Sequence, residues 1–439
     1  MNNSEKSLLQ IIHALKKYGS GISTSATEIR IEIMPERLTD NILPLLYSLL
    51  NNFERSYFIV INGLPFCLMP DATSHILYTQ KKGLEYLKDN ACGSCKYGKA
   101  CPGWPKALKI QGRFRPRTVP ELPREIVIEI TSRCNLDCLL CFKEKDLAQV
   151  PLARIKRIID DCIKEGIKTI RFTGGEPLLH PDIQSVLLYA KNKGLYVILN
   201  TNLTTLNNKI KNTLKSCVDN ILIPLQGFDA QSECRLTGSA KNPFKEKLKN
   251  ILAIKSLIPT LRLGTIISVT LVDNFDRYYY LIKRLGIVNW EMFRPMIAKG
   301  TAEFRTGADD ILAIMQRVGD VKRDIGEVKV ANAVPFCITE DLALSRYVLL
   351  GADADDGHSR IVFDSRGFFK PSYPITKNLG HDIKGAWLSP FLKRVRSLSY
   401  LPAVCKSCNC LKWCKGGSRF LAKVKYGSYF KRDPLIRNG

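Results

Sequence analysis

Cys134, Cys138 and Cys141 stand at C-x3-C-x2-C spacing in Ser132-Arg-Cys-Asn-Leu-Asp-Cys-Leu-Leu-Cys141, directly after the apolar run Glu125 to Thr131. Three thiolates on one short loop can cap three irons of a cubane cluster, which leaves the fourth iron open to a small molecule. A tetrahedral zinc site would need a fourth ligand nearby, yet the closest histidine in sequence, His180, follows a different strand. Of the 15 cysteines, Cys162, Cys217 and Cys234 stand singly and read as small structural hydrophobes; the others fall into three groups. Such clustering argues for metal or iron-sulfur ligation rather than a disulfide framework.

A second motif ends the next strand-like run, where Lys168-Thr-Ile-Arg-Phe-Thr173 leads into Gly174-Gly175-Glu176-Pro177. Paired glycines let the backbone approach a ligand closely, and a carboxylate beside them can accept hydrogen bonds from a cationic amine. Parallel α/β folds bind ligands at the carboxyl ends of their strands, so two motifs at successive strand ends address one site.

Together the two motifs resemble the radical S-adenosylmethionine (SAM) superfamily over roughly residues 123 to 300. The resemblance implies a 4Fe-4S cluster whose open iron takes the amino and carboxylate groups of SAM, with Thr173, Gly174, Gly175 and Glu176 holding the methionyl amine. One-electron reduction then yields a 5'-deoxyadenosyl radical, and a donor such as ferredoxin or flavodoxin supplies the electron. It also implies that Asn200, in Ile198-Leu-Asn-Thr-Asn202, contacts the ribose. Gln226, and Arg235 in Ser232-Glu-Cys-Arg-Leu-Thr-Gly238, would touch the ribose and the methionyl carboxylate. Asn and Gln at strand ends also serve as turn formers, and an isolated Arg as a surface charge. One departure is Leu140 before the third cysteine, where many relatives have an aromatic residue; here Phe142 follows instead.

The segment Cys405-Lys-Ser-Cys408-Asn-Cys410-Leu-Lys-Trp-Cys414-Lys-Gly-Gly-Ser418 resembles the SPASM extension, which binds auxiliary clusters and is frequent in enzymes that modify peptides. Ser418 and Ser372 stand where that pattern has cysteines. Serine is a poor iron ligand, so one auxiliary cluster is expected rather than two, on Cys405, Cys408, Cys414 and either Cys337 or Cys410. A structural zinc is the rival. The N-terminal Cys92-Gly-Ser-Cys95-Lys-Tyr-Gly-Lys-Ala-Cys101-Pro-Gly103 repeats the spacing, and Ile42 to Cys67 matches Ile311 to Cys337 in layout, each ending Pro-Phe-Cys. Cys67, Cys92, Cys95 and Cys101 are therefore expected to hold a second auxiliary cluster, with Cys337 completing the C-terminal set.

These loops need a scaffold. Six short apolar β-branched runs, near 125–131, 168–173, 195–200, 220–226, 262–270 and 288–296, alternate with amphipathic helices such as Leu152 to Lys164 and Pro243 to Leu257. The expected fold is α/β, a partial (βα)6 radical SAM barrel flanked by small cysteine-rich N- and C-terminal domains. Its expected parts are an N-terminal module at 1–105, a Pro-rich linker at 106–122, the core at 123–305, an auxiliary-cluster domain at 306–420 and a basic tail at 421–439. Within 306–420, the loop carrying Asp355, Asp356, His358 and Arg360 is a candidate substrate contact or an exposed polar turn.

At 439 residues, with 66 Lys plus Arg against 41 Asp plus Glu, the net charge of +25 suits an anionic partner such as RNA, or is a solvated basic surface. No apolar run spans a membrane and the first residues lack the grading of a signal peptide, so the chain reads as soluble and cytoplasmic. The leading expectation is a radical SAM enzyme acting on a peptide or protein residue. RNA or nucleotide modification is the second reading, and a non-catalytic iron-sulfur carrier the third.

Overall fold

The computed structural model describes residues 3–17, 21–25, 28–34, 41–53, 58–65, 67–69, 76–78, 83–88, 90–95, 101–106, 122–141, 146–239, 241–296, 302–304, 306–408 and 410–436. Most of the expected linker, and Phe142, lie outside them. The chain divides into two compact units, Met1–Glu121 and Leu122–Gly439.

The second unit is built on one nine-stranded sheet. Its strands are β1 (Glu125–Thr131), β2 (Thr169–Gly174), β3 (Tyr196–Asn200), β4 (Asn220–Pro224), β5 (Thr260–Ile266), β6 (Asn289–Phe293), β7 (Glu327–Val330), β8 (Arg360–Phe363) and β9 (Phe369–Lys370). The spatial order is β7-β6-β5-β4-β3-β2-β1-β8-β9, all parallel except the β8–β9 hairpin. The six expected barrel strands thus lie side by side in sequence order. One further parallel strand is added at each side, β7 beside β6 and β8 beside β1, so residues beyond 305 belong to the same sheet.

The strands read as near-continuous apolar runs because helices cover one face and the barrel interior the other. Helix α1 (Leu152–Lys164) buries Ile155, Ile158, Ile159 and Cys162, the stripe its 3.6-residue period requires. α2 (Ile183–Asn192), α3 (Asn208–Cys217), α4 (Ala230–Thr237), α5 (Pro243–Ile254) and α6 (Val269–Asp273) follow in turn. α5 stops three residues short of Leu257, ahead of Pro259. β5 ends at Ile266 rather than near 270 because Ser268 caps α6, its Oγ accepting from the Leu271 amide at 3.1 Å. Cys162 and Cys217 are buried, and Cys234 is half-buried with its Sγ donating to the Lys241 carbonyl at 3.7 Å. In the stretch read as a basic tail, Asp433 is fully buried and takes the Arg294 guanidinium at 2.8 Å.

β1 carries Glu125 and Glu129 on its inner face, in register with Thr131. Against the burial that would raise it, Arg171 and Arg360 hold the Glu125 carboxyl down to about 2; the Arg171 Nε contact is 2.6 Å. A carboxyl depressed on folding contributes stability that is present above its ordinary value near 4.5 and lost as pH falls through about 2. Wild-type protein is therefore expected to lose on the order of 3 kcal/mol across that window. A Glu125→Gln variant should show a flatter acid limb in urea titrations made at successive pH values.

The first unit has its own small sheet, Gly21–Thr24, Glu28–Glu32, Phe58–Asn62 and Ile76–Leu77 in that order, antiparallel at the first pair and parallel at the next two. Helices Asn3–Lys17 and Ile42–Phe53 pack on it through a core that includes Leu15, Ile31, Leu46 and Ile61. Among the described residues no helix is long and apolar enough to cross a membrane.

Candidate cluster and cofactor site

Two flanks hold the cysteine loop after β1. On one side the Asp137 and Leu139 amides donate to the carbonyls of Thr237 and Leu236 at 2.9 and 3.1 Å, tying it to the end of α4. On the other, Asn202 Nδ2 donates to Asn135 Oδ1 at 2.8 Å and Asn135 Nδ2 to Thr204 Oγ1 at 2.8 Å, tying it to the segment after β3. Cys138 and Cys141 close a turn, the Cys141 amide donating to the Cys138 carbonyl at 3.0 Å. Cys134 and Cys138 are half-buried and Cys141 is exposed.

The glycines at the end of β2 line the cleft and also allow a close approach to the protein's own backbone. A Cβ on Gly174 would lie 2.2 Å from the Thr131 carbonyl oxygen, and one on Gly175 would lie 2.2 Å from that of Arg133. The end of β2 is pressed against the backbone of the cysteine loop, with the Gly175 and Glu176 amides donating to Thr131 and Arg133 at 2.7 Å each. Gly174 also has φ +148, a backbone state that disfavours a side chain. Because the obstructing atoms are backbone, Gly175→Ala must displace the loop. The expected cost is about 1–3 kcal/mol, together with weaker iron retention, read from the thermal midpoint and iron per chain.

Thr173, Gly174, Gly175, Asn200 and Gln226 line a cleft of about 320 Å³ together with Cys134, Cys138 and Cys141. It lies at the carboxyl end of the sheet and is large enough for a nucleotide-sized ligand. Asn200 Oδ1 accepts from Arg171 at 3.1 Å; Gln226 Oε1 accepts from the Ile266 amide at 3.0 Å.

Two expected contacts lie elsewhere. Glu176 is fully buried and its carboxylate is spent inside the protein, accepting from Thr201 Oγ1 and the Asn202 amide at 2.6 Å each and from the Leu178 amide at 2.9 Å. Instead of facing the cleft, it clamps the start of the β3 loop that holds Asn135. Arg235 points from α4 to Glu303 at 2.7 Å and Thr270 Oγ1 at 2.5 Å, and it does not line the cleft.

Several further side chains contribute to the cleft. Lys247 lines the cleft from the buried face of α5; it pairs with Glu233 and donates to the Pro224 carbonyl at 2.8 Å. Glu233 in turn accepts from the Gln226 and Gly227 amides at 2.8 and 2.6 Å, fixing the turn after β4. Glu129 reaches the cleft wall and pairs with buried Lys370 at 3.0 Å, which also meets Asp364 at 3.2 Å. A lysine on the buried face of a helix was the available signal for Lys247, and a carboxylate inside a buried strand that for Glu129.

A second chamber of about 160 Å³ adjoins the cleft, sharing Leu140, Ile266, Phe293 and Tyr373 with it. Asp355, Asp356 and Arg360 line it, which takes them out of the class of exposed polar turns. Burial pushes the Asp355 carboxyl up to about 7 despite Arg360 nearby. His358 is buried, lies outside both chambers, and is held neutral by burial and the cations around it.

Cys405 is buried in a small core with Leu401 and Ile436, and Cys337 packs against it. Cys414 lies within electrostatic reach of Cys337, and Cys405 within reach of Cys337 and Cys408. The five C-terminal thiols therefore gather in one place. Cys410 donates to Cys408, which lowers Cys408 and raises Cys410. Ser418 caps the helix Arg419–Tyr426, its Oγ accepting from Leu421 at 3.2 Å, and Ser372 donates to Asp356 at 2.9 Å; both serve the protein's own structure. Among the described residues no three His, Cys, Asp or Glu side chains sit close enough to share one metal ion.

Residues 128–282 match the family model described as the Radical SAM superfamily. The AdoMet-dependent heme synthase of Methanosarcina barkeri is 28% identical over 177 residues, 39% of this chain and 50% of that protein. The GTP 3',8-cyclase of Chlorobaculum tepidum is 31% identical over 37% of this chain and 48% of that protein. The chain thus spans about half the length of the curated relatives it matches. Among solved structures, SuiB of Streptococcus suis bound to S-adenosylmethionine superposes with a TM-score of 0.59 at 18% identity, over 72% of this chain and 78% of that one. SuiB has also been solved bound to precursor peptide SuiA.

Proposed function

Residues 128–282 are a radical SAM domain, and from that premise we propose that the protein cleaves SAM reductively and uses the resulting radical on a peptide or protein residue. The observation that carries this reading is the convergence of Cys134, Cys138 and Cys141 with the Gly174–Gly175 strand end on one cleft. The donor set fits the group: three thiols on one loop, with polar Asn200 and Gln226 lining the same cleft. When bound, a 4Fe-4S cluster supplies one electron to SAM, giving methionine and a 5'-deoxyadenosyl radical that takes a hydrogen atom from substrate.

The chain's own residues do the positioning. Cys134, Cys138 and Cys141 hold the cluster, and Thr173, Gly174 and Gly175 present backbone and hydroxyl groups to the methionyl end of SAM. Asn200 and Gln226 meet the nucleoside. Glu176 acts at one remove by fixing the segment that holds the cysteine loop, and Arg235 braces the region near α6 through Glu303. The adjoining chamber takes the substrate, with Tyr373 and Asp355 as its polar contacts. Cys337, Cys405, Cys408 and Cys414 hold an auxiliary 4Fe-4S cluster, Cys410 being the donor to Cys408. A ferredoxin- or flavodoxin-class protein supplies the electron.

A peptide substrate is supported by the fold shared with SuiB, a protein that binds a precursor peptide. The net charge of +25 favours RNA as the second reading. The two separate in one experiment: reduced, reconstituted enzyme with SAM is given a small-peptide extract or total RNA, and 5'-deoxyadenosine is followed. Stimulation by peptides alone is expected; stimulation by RNA alone overturns the peptide reading.

A further inference from the structure

The N-terminal unit repeats, within its own fold, the local geometry that gathers the C-terminal cysteines. In the second unit a helix, Ala308–Ile325, leads into the parallel strand β7, and the chain then reaches Pro335-Phe-Cys337, where the Ile338 amide donates to the Pro335 carbonyl at 3.1 Å. In the first unit the helix Ile42–Phe53 leads into the parallel strand Phe58–Asn62, and the Leu68 amide donates to the Pro65 carbonyl at 3.0 Å. The cysteine beyond each strand therefore sits in the same kind of turn.

Beyond that turn, each chain segment returns to pair in parallel with the strand it just left. Ile76 pairs with Ile61 in the first unit, and Leu349 bridges Val330 in the second. The C-x2-C turns also match, with Cys95 donating to the Cys92 carbonyl at 3.2 Å and Cys408 to that of Cys405 at 3.1 Å. Two residues past the last cysteine, Gly103 and Gly416 both take positive φ, +106 and +74. At Gly103 a Cβ would lie 2.3 Å from the Leu87 carbonyl oxygen, so the turn is required there by close approach.

The four N-terminal thiols are neighbours. Cys67 is within electrostatic reach of Cys101 and Cys95, and Cys101 within reach of Cys95 and Cys92. Cys67 is buried, while Cys95 and Cys101 pack at the edge of the unit's hydrophobic core. One buried thiol and three half-buried ones, two of them on a tight turn, thus lie in one neighbourhood at the edge of the unit's core. A tetrahedral ion takes four thiolates at one centre, whereas a cubane takes one at each iron, and the iron and sulfide content of the protein separates the two.

We propose that Cys67, Cys92, Cys95 and Cys101 hold a 4Fe-4S cluster of their own, in a unit that duplicates the helix, strand and cysteine turns of the C-terminal cluster segment. The comparison with the C-terminal set rests on the auxiliary cluster proposed above, whereas the four-thiol grouping stands by itself. All four irons have protein ligands, so this cluster differs in kind from the one on Cys134, Cys138 and Cys141.

The test uses the full chain, purified and reconstituted without oxygen. Cys92→Ala/Cys95→Ala protein is expected to carry about 4 fewer irons and 4 fewer sulfides per chain than wild type. Unchanged iron and sulfide in folded variant protein overturns the proposal, as does one zinc per chain lost with these cysteines. Should the variant not fold, alkylation of wild type answers the same question: Cys92 and Cys95 are expected to resist iodoacetamide until the clusters are stripped, and their labelling in iron-loaded protein overturns it. SAM cleavage is measured on the same samples, so loss of iron here is distinguished from failure of the cluster on Cys134.

Discussion

Cys134→Ala/Cys138→Ala/Cys141→Ala protein is expected to lose about 4 irons per chain and to form 5'-deoxyadenosine more than about 100-fold more slowly than wild type. The loop that bears these residues is tied to both flanks by backbone and Asn side-chain bonds that do not involve the thiols. Removing three sulfurs should therefore leave the fold intact, and the melting curve should move little. Irons on the other cysteine groups should remain, which makes the triple variant a clean subtraction. Retained SAM cleavage in this variant would mean that the reactive cluster is held elsewhere.

The second large effect is on stability. Lys247 and Glu233 form an ion pair in which both side chains are wholly buried, and Glu233 also accepts from the two amides of the turn after β4. Lys247→Met would leave a buried carboxylate without its counter-charge, which costs about 3–5 kcal/mol. A fall in thermal midpoint on the order of 10 °C is expected. Lys247→Met/Glu233→Gln should recover most of it, because a neutral amide at 233 still offers an acceptor to the turn. A double variant as unstable as the single one would show that the unpaired charge is not the cause. Since Gln226 sits on that turn, SAM affinity should weaken in the single variant and return in the double.

The barrel was legible because its physics is written in runs of residues. Glu125 to Thr131 carries Ile126, Val127, Ile128 and Ile130 and is buried at every position but the first, as a strand covered on both faces must be, and α1 buries the four residues its period picks out. Cysteine spacing singled out the loop proposed to hold the cluster, and residues on one loop stay close in space whatever the rest of the chain does. The side chains after the strands were less legible. Glu176 follows the two glycines, but which way its carboxylate turns is decided by Thr201 and the Asn202 amide, contacts that lie 25 and 26 residues away. Arg235 was likewise claimed by Glu303, on a different segment of the chain.

Lys247 shows the opposite case, where a local signal existed. It lies on the face of α5 that also buries Pro243, Asn250, Ile251 and Ile254, and a lysine on such a face must have a partner. The joining of β7 and β8 to the sheet was hidden for another reason. Pairings across sheet edges are non-local, and β8 meets β1 with Arg360 opposite Glu125. That pairing carries the Asp355 and Asp356 loop to the second chamber beside the cleft.

The most direct measurement is a single-turnover assay of wild-type protein under anaerobic conditions, with SAM and a strong one-electron reductant, quantifying 5'-deoxyadenosine and methionine together. Both products are expected in equal amounts, with no 5'-deoxyadenosine when reductant is withheld. A fully iron-loaded protein that binds SAM yet forms neither product would contradict the proposed function.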